Sequence, residues 1–420
     1  MRRRLLISMA VFMAALVYAG AGALSKEVLR VGHHWSGAGP EAESVEAIIA
    51  YYQQAHPEVT VEPVPGLWPM DKFYTLIAAG DPPDVMIGLG SDVAEYVRQG
   101  ILLPLTAYAR QDGVAANRFW APAWQGVVFE GELWGLPAWV DPNFALLANA
   151  QLLAEAGLPA DAPPKTIPEL EIAMEKLTHR DASGRLTQLG MRPWSVYGPW
   201  NTLVTWFWAF GGRDLYDAEA RRLRFNTDPV IRAMSWVADK YQRYSGGAGV
   251  GSMREGQVAM ELITGGSNIR QYLEVIPDLV AGVTPYHPDA GTERVAWVGG
   301  HIMVVPKGAA NPERAWEFMR TVSATPEGAL TWAKAGRITG FRSDEAITYL
   351  HQDRVMRIMV NVLESAAYIR PRIPVPDLDG KVGPTLSRIW SGEVAPRSGL
   401  ESLNDTLQAQ VDAYYASLAD

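Results

Sequence analysis

Short apolar strands alternate with amphipathic helices over the first hundred residues, and this alternation constrains the fold more than any other feature. Val28–Val31, Val59–Val64 and Asp84–Ile87 have the apolar composition of buried strands. Between the first two, Glu41–His56 repeats apolar residues at the i, i+3, i+4, i+7 spacing of a helix with one buried face. Strands that alternate with helices predict a mostly parallel sheet that helices cover on both faces.

A second α/β unit and a helical final third follow. Phe144–Ala148 and Val280–Val283 have the composition of strands, and Thr166 with Glu169 forms a T-x-x-E capping box at the start of a helix. From Pro312 to the C-terminus the patterns are almost all helical. We therefore predict an α/β fold class, with two units of mostly parallel sheet flanked by helices and a helical C-terminal third.

The N-terminal residues have the pattern of a secretory signal peptide, which we place at 1–23. Arg2–Arg4 precede the apolar run Leu5–Tyr18, and Ala21-Gly22-Ala23 gives an A-x-A cleavage pattern. A membrane anchor is the alternative, but the run is shorter than the roughly 20 residues that span a bilayer. The chain has no Cys, which excludes disulfides and a lipid attached to cysteine. We expect a periplasmic protein that is not a lipoprotein.

The charge of the chain argues against one class of partner. The formal net charge is -9, and it becomes more negative when three arginines leave with the signal peptide. Nucleic-acid binding needs a basic surface, so we expect no nucleic-acid partner. The neighbouring pair His33-His34 would point to opposite faces of a strand, so we expect no metal site. No cofactor motif is present, and we expect no cofactor.

Arg192–Gly212, RPWSVYGPWNTLVTWFWAFGG, carries four of the 15 tryptophans. The prolines at 193 and 199 disfavour helical geometry in the residues before them, which predicts a loop. Asn201–Phe210 is apolar nearly all round, which predicts a buried helix. We therefore interpret the second half of the segment as core. For the first half we predict an aromatic platform for a ligand, formed by Trp194, Tyr197 and Trp200.

Five segments resemble the motifs of one protein family, in the same order along the chain. They are AAGDPPDVMIG (Ala78–Gly88), GILLPLTAYA (Gly100–Ala109), Gly131–Thr178 with GELWGLP and PPKTIPEL, MREGQVAMELITGG (Met253–Gly266) and Trp297–Gly328 with WVGGHIMVVPKGAANPERAWEFM. Together they resemble the bacterial extracellular solute-binding proteins of family 1, in the class similar to maltose-binding protein. These are the substrate-binding components of ABC importers, and the resemblance covers the chain from about residue 28.

The resemblance implies two α/β lobes joined by a hinge, with the ligand in the cleft between them. It places the N-lobe at 24–140 and 281–308 and the C-lobe at 141–280 and 309–420. The implied hinge crossings lie near Trp139–Asn143, Leu279–Val283 and Pro306–Asn311. The implied function is capture of a small solute, for which we expect a sugar or short oligosaccharide, and its delivery to membrane permease subunits. We expect a monomer.

Candidate ligand-binding residues follow from strand ends and from the resemblance. Ligands of open α/β sheets bind beyond the carboxyl ends of the strands. The candidates at such ends, at the first crossing and beside the last N-lobe strand are Trp35, Ser36, Glu41, Trp68, Asp92, Trp139, Asp141, Asn143, Trp297, Gly299, Gly300, His301 and Arg337. After VAM, where sugar binders of this family often have a tryptophan, the chain has TGGSN, so Ser267 and Asn268 are candidates for polar contacts instead.

Two other readings stay open at this point. A charged solute in the same fold would use Arg192, Arg337 and Arg342 for a glycerol phosphate, or Glu41, Asp92 and Asp141 for a polyamine. A secreted carbohydrate-active enzyme is the alternative of another class. The chain contains no G-x-S-x-G and no H-E-x-x-H, but a pair of catalytic carboxylates leaves no sequence motif. We expect a binding protein and not an enzyme.

Overall fold

The computed structural model describes residues 27–68, 70–244 and 250–417, so the predicted signal peptide lies outside the described residues. The strands are β1 (Glu27–His33), β2 (Val59–Val64), β3 (Val85–Leu89), β4 (Val128–Phe129), β5 (Glu132–Leu133), β6 (Gly135–Asn143), β7 (Ala145–Asn149), β8 (His179–Arg180), β9 (Leu186–Gln188), β10 (Tyr216–Asp217), β11 (Arg222–Leu223), β12 (Met260–Ile263), β13 (Leu279–Gly282), β14 (Ala296–Val304) and β15 (Ala366–Ile369).

The helices account for most of the remaining chain. They are α1 (Pro40–Ala55), α2 (Asp71–Ala78), α3 (Val93–Arg98), α4 (Thr106–Gln111), α5 (Ala121–Gln125), α6 (Ala150–Glu155), α7 (Ile167–Lys176), α8 (Pro199–Ala209), α9 (Asp228–Tyr244), α10 (Gly266–Val275), α11 (Pro312–Ser323), α12 (Pro326–Lys334), α13 (Asp344–Leu350), α14 (Arg354–Glu364), α15 (Leu378–Trp390) and α16 (Pro396–Ser417). None of the described helices combines the length with the apolar character that a membrane crossing requires.

The larger sheet has the strand order β15-β14-β3-β1-β2, with β6 paired to β14. β1 is parallel to β2 and β3, as the strand–helix alternation predicts, and α1 buries its apolar face on this sheet. β14 is antiparallel to both β3 and β6. We call the elements packed on this sheet the first lobe.

The smaller sheet has the order β12-β7-β13, and both outer strands are antiparallel to β7. A mostly parallel second sheet was therefore the wrong prediction. The reason is that β12, α10 and β13 form a strand–helix–strand unit with both strands in one direction. β7 enters from the first lobe and lies between them in the opposite direction. We call the elements packed here the second lobe.

The segment after β14 stays with the first lobe. Lys307 donates its backbone N–H to the carbonyl of Ile101 at 2.7 Å, and Asn311 donates its backbone N–H to Asp84 Oδ1 at 3.0 Å. The two following helices, α11 and α12, pack against α1. The predicted crossing at 306–311 and the predicted C-lobe start at 309 are therefore wrong. The chain passes between the sheets after Asn143 and again between Gly282 and Ala296, and after β15 it returns to the second lobe, where α15 packs on α8 and α9.

The tryptophan-rich segment forms the packing of the second lobe. Its helix, α8, begins at Pro199 and is buried nearly all round, in contact with α9 and α15. Trp206 is fully buried, donates Nε1–H to the carbonyl of Pro193 at 2.6 Å, and lies 4.7 Å from the ring of Trp236. A buried indole needs a hydrogen-bond acceptor, and the loop before α8 supplies it.

Candidate ligand-binding cleft

A cleft of about 950 Å³ lies between the two sheets. Its first-lobe side is formed by the adjoining strands β6 and β14, and its second-lobe side by the chain that leads from β12 into α10. The predicted site residues that line it are Glu41, Trp139, Asp141, Asn143, Asn268, Trp297, Gly299, Gly300, His301 and Arg337. The size is that of a pocket for a small molecule.

Other predicted site residues do not line this cleft, for different reasons. Trp200 is 1% exposed and packs on Phe225, while Trp194 is half-buried against Tyr241. Both belong to the packing of the second lobe, so they do not form the predicted platform. Tyr197 is exposed at the edge of the cleft, where its hydroxyl accepts a hydrogen bond from Asn268 Nδ2 at 3.2 Å.

Four predicted residues of the first lobe lie behind or beside the cleft. The carboxylate of Asp92 accepts hydrogen bonds from Ser91 Oγ at 2.8 Å and Tyr96 OH at 3.3 Å, and burial raises its pKa. Trp35 packs on Trp139 with 5.2 Å between ring centroids. The exposed residues Ser36 and Trp68 lie outside the lining. The side chain of Ser267 lies outside the described part of the structure.

An aromatic cluster lies behind the first-lobe side of the cleft. We call it the cleft cluster and define it as His34, Trp35, Trp139, His301 and Trp332. Burial is the main cause that lowers the pKa of His34 to about 4, and the neighbouring histidines lower it further. His34 Nε2 has no hydrogen-bond partner among the described residues. The described chain also brings no group of three metal-ligating side chains together.

The ring of Trp139 is covered, although the residue lines the cleft. It is 1% exposed, with His301 stacked 4.2 Å away and the guanidinium of Arg337 5.3 Å from its centroid. Arg337 is held there by an ion pair with Glu41 at 3.0 Å and a hydrogen bond to Ser44 Oγ at 3.0 Å. A ligand ring therefore has no free face of Trp139 to stack on while this ion pair is in place.

The double glycine of β14 packs closely against the neighbouring strand β6. A Cβ at Gly300, which has a φ of +129°, would lie 2.4 Å from the carbonyl oxygen of Trp139 in the neighbouring strand. A Cβ at Gly299 would lie 3.3 Å from Asn143 Nδ2. The sequence-based interpretation, that the missing side chains let ligand approach, is therefore wrong for Gly300, because β6 already occupies that space.

Two lining residues connect the lobes. Trp297 is 6% exposed and donates Nε1–H to Thr205 Oγ1 of α8 at 3.4 Å, so its indole faces the second-lobe packing. Asn143 accepts a hydrogen bond from the hydroxyl of Thr264, which follows β12. These contacts place residues of β6 and β14 directly against the second lobe at the base of the cleft.

The helical C-terminal third contributes lining residues that the sequence did not reveal, among them Tyr349, Asp353, Met356, Arg370 and Arg372. Tertiary packing brings these residues to the cleft, and no local sequence pattern indicates that they line it. The pair Arg370-Pro-Arg372, just after a short apolar run, is the one signal that could have drawn attention to this segment.

The arginines that line the cleft already have partners. Arg270 pairs with Asp353 at 3.1 Å, and Arg370 with Asp379 at 3.4 Å. Arg372 donates to the carbonyls of Gln125, Gly126 and Val128 at 3.0, 2.5 and 2.8 Å, and its burial lowers its pKa to about 10. Together with the pair of Arg337 and Glu41, this leaves each arginine of the cleft lining hydrogen-bonded or ion-paired to protein acceptors, although only carbonyls hold Arg372.

Comparison with known proteins identifies the class. The model of the bacterial extracellular solute-binding protein family matches residues 38–329, and the chain belongs to this family. An uncharacterized ABC transporter extracellular-binding protein of Pyrococcus horikoshii is 24% identical over 220 residues, which are 51% of this chain and 48% of that protein. An uncharacterized lipoprotein of Streptomyces antibioticus is 25% identical over 42% of this chain and 40% of its own length. The chain thus spans less than half the length of these two relatives.

Solved structures show the fold over nearly the whole chain. The sugar-binding protein MalE of Xanthomonas citri is similar with a TM-score of 0.77 at 18% identity, over 94% of this chain and 99% of that one. The cyclic alpha-maltosyl-1,6-maltose binding protein of Arthrobacter globiformis gives a TM-score of 0.74 at 19% identity, over 91% and 98%. The structure of CpMnBP1 with mannobiose bound gives a TM-score of 0.69 at 23% identity, over 91% of this chain and 100% of that one. The predicted two-lobe α/β fold class is confirmed.

Proposed function

We propose that the protein captures an uncharged sugar or short oligosaccharide in the cleft and delivers it to the permease subunits of an ABC importer. The observation that carries this proposal is the pairing of the cleft arginines. A guanidinium binds phosphate best when no protein acceptor holds it, whereas Arg270, Arg337 and Arg370 each pair with a carboxylate and Arg372 donates to backbone carbonyls. The remaining cation of the lining, Lys334, offers a single point charge and no planar fork of donors. Uncharged hydroxyls need only single hydrogen bonds, worth on the order of 1 kcal/mol each.

Polar groups for such hydroxyls are present on both sides of the cleft. Asp141 lines the first-lobe side, and its carboxylate lies 3.7 Å from Nδ1 of His301. Asn268 lines the second-lobe side with its amide. A ligand that contacts both sides stabilises the closed arrangement of the lobes through the contacts it makes there. The chain passages after Asn143 and between 282 and 296 would be the hinge.

The relatives support a carbohydrate over the alternatives. Among the proteins with similar folds, one was solved with mannobiose, one with alpha-D-tagatose and one with acarbose. Their identity to this chain is below 25%, so they support the ligand class and not its identity. No observation favours a glycerol phosphate, a polyamine or catalysis, and we propose a monomeric binding protein without enzymatic activity.

We also propose export through a signal peptide cleaved after residue 23, with the mature chain held in the periplasm. The extracellular family supports export. The Streptomyces antibioticus relative is described as a lipoprotein, but this chain has no cysteine to carry a lipid. N-terminal sequencing of the protein recovered from a periplasmic extract would test this proposal.

A thermal-shift screen of residues 24–420 tests the binding proposal. The probes are mannobiose, mannotriose, tagatose and acarbose, against glycerol 3-phosphate and spermidine. We expect at least one sugar to raise the Tm by mass action, and Asp141→Asn to reduce that rise. A rise with glycerol 3-phosphate or spermidine alone would show that the ligand is charged. Hydrolysis of aryl glycosides by the purified protein would contradict a purely binding role.

A further inference from the structure

Four aromatic or imidazole rings line the described part of the cleft, and they differ in how much of the ring is free. Trp139 and Trp297 are 1% and 6% exposed, and the side chain of His301 is 14% exposed. Tyr349 is 38% exposed. Its ring makes no aromatic stack and its hydroxyl makes no hydrogen bond with another described residue. Tyr349 is therefore the lining ring with an open face.

The position of Tyr349 brings this open ring near the second-lobe side. It lies one residue before the end of α13, a helix that packs on α12 of the first lobe. Four residues later, Asp353 accepts a hydrogen bond from Arg270 of α10 at 3.1 Å. Asp353, Arg270 and Tyr349 all line the cleft. The chain near Tyr349 thus approaches the second-lobe side of the same space.

The residues that line that second-lobe side at the start of α10 include no ring, and the exposed ring of Tyr197 lies beside them, outside the lining. Thr264, Gly265 and Gly266 line it, and beyond them Asn268, Gln271 and Glu274 present amides and a carboxylate. An aromatic face offset from a set of polar groups matches a pyranose, which has an apolar C–H face and a rim of hydroxyls. Tyrosine suits this position because its ring is apolar while its hydroxyl can stay solvated.

We propose that Tyr349 is the platform on which the ligand's sugar ring stacks, and that it determines the preference of the cleft for carbohydrate. This inference rests on the proposed function. Trp139 was predicted to bind ligand, but Arg337 blocks stacking on its ring, and the platform role predicted for Trp194 and Trp200 is excluded by their place in the second-lobe packing. Tyr197, the third residue of that predicted platform, lies outside the lining, and its ring stacks on Phe144 with 5.5 Å between centroids. Tyr349, which belongs to the helical C-terminal third, is the stacking platform instead.

The test measures the Kd by calorimetry for whichever of mannobiose, mannotriose, tagatose and acarbose raises the Tm of the wild-type protein most. Tyr349→Ala removes the ring, and covering a ring face of roughly 80 Å² corresponds to an affinity loss of about thirtyfold. Tyr349→Phe keeps the ring and should bind within about twofold of wild type. The Tm of both variants should stay close to that of wild type, because the side chain is exposed.

A matched control truncates another exposed side chain. Ile172, on α7 and outside the cleft, is 54% exposed, and Ile172→Ala should leave the Kd unchanged. Wild-type affinity in Tyr349→Ala would overturn the inference while the proposed function stood. An equal loss in Tyr349→Phe and Tyr349→Ala would also overturn it, because the hydroxyl would then be the contact. Failure of wild type to bind any of the four sugars would overturn the proposed function and this inference together.

Discussion

Two tryptophan clusters of this molecule contain similar numbers of rings and differ in what surrounds those rings. The cleft cluster joins its indoles to two imidazoles, and the guanidinium of Arg337 lies over Trp139. The second, which we call the helix cluster, consists of Trp200, Trp206 and Trp208 of α8 with Trp236 of α9. There Trp206 and Trp208 donate their indole N–H groups to backbone carbonyls, Trp208 to that of Arg213 at 3.3 Å, and Trp236 donates to Glu171 Oε1 at 3.0 Å.

The comparison shows that the density of tryptophan does not locate a ligand site, whereas the polarity of the neighbours does. In the helix cluster the indole N–H groups of Trp206 and Trp208 are satisfied by backbone from the loops next to α8, so those rings complete a core. In the cleft cluster, ring nitrogens of His34, His301 and Trp332 have no partner among the described residues. Unsatisfied polar atoms of this kind are expected beside a functional cavity and are uncommon in a core.

Replacement of Trp206 by Ala should give the largest effect, and it should act on stability alone. The substitution removes a fully buried indole and its hydrogen bond to Pro193, so the free energy of unfolding should fall by about 3–5 kcal/mol. Urea unfolding measures this loss, and Trp206→Phe should lose less because it keeps a ring. Ligand affinity of the folded variant should stay within about twofold. Weaker ligand binding by Trp206→Ala at unchanged stability would contradict the view that the helix cluster stabilises the fold and does not contact ligand.

Trp194→Ala should lower the free energy of unfolding by less than Trp206→Ala does. Trp194 is half-buried and meets Tyr241 edge to face at 5.3 Å, so we expect a loss of about 1–2 kcal/mol in the free energy of unfolding. Its distance from the cleft lining predicts an unchanged Kd for sugar. A loss of affinity without a loss of stability would instead restore the sequence-based hypothesis that Trp194 is a ligand platform.

Acidification should produce the smallest effect, and His34 of the cleft cluster should contribute to it. In the folded protein the pKa of His34 is about 4, below its unfolded value of about 6.5, so the unfolded chain binds the extra proton. Stability therefore rises with pH between these values and is lost as pH falls from 6.5 to 4. The groups that face His34 are His33, His301 and, beyond His301, Asp141.

We expect a fall of a few degrees in Tm over this pH range, measured by differential scanning calorimetry. His34→Asn should make the fall shallower, while Trp206→Phe should leave the slope as in wild type because the helix cluster contains no histidine. An equal slope in wild type and His34→Asn would show that the histidine is not the group that titrates.

Most of the fold could be predicted from local patterns, because its elements have strong ones. The apolar spacing of 41–56 corresponds to α1, and the Thr166–Glu169 capping box is present at the start of α7. Strand direction in the second lobe could not be predicted, because β7 joins a strand–helix–strand unit from far away in the sequence. The lobe to which 306–311 belongs could not be predicted either, because a long-range hydrogen bond from Asn311 to Asp84 holds this segment on the first lobe and no local pattern encodes it.

The candidate site was predictable at the first crossing and beside the last N-lobe strand, where Asp141, Asn143 and His301 line the cleft. Strand ends were a poorer guide, because Glu41 lines the cleft while Trp35, Ser36, Trp68 and Asp92 do not. Tyr349 could not be predicted, because it lies on a helix whose sequence gives no sign that its far end reaches the cleft. The contact in which Arg337 covers the ring of Trp139 could not be predicted either, because the two residues are almost two hundred positions apart in the sequence.

Gly300 limits how the cleft could be redesigned for another ligand. Any side chain there would collide with the carbonyl of Trp139, and the φ of +129° is one that only glycine adopts without strain. A mutant library that varied every lining position would therefore lose most of its members to misfolding at this one. Diversity is better placed at Tyr349, Gln271 and Met356, whose backbones lie in regular helices and tolerate all side chains except proline and, to a smaller extent, glycine.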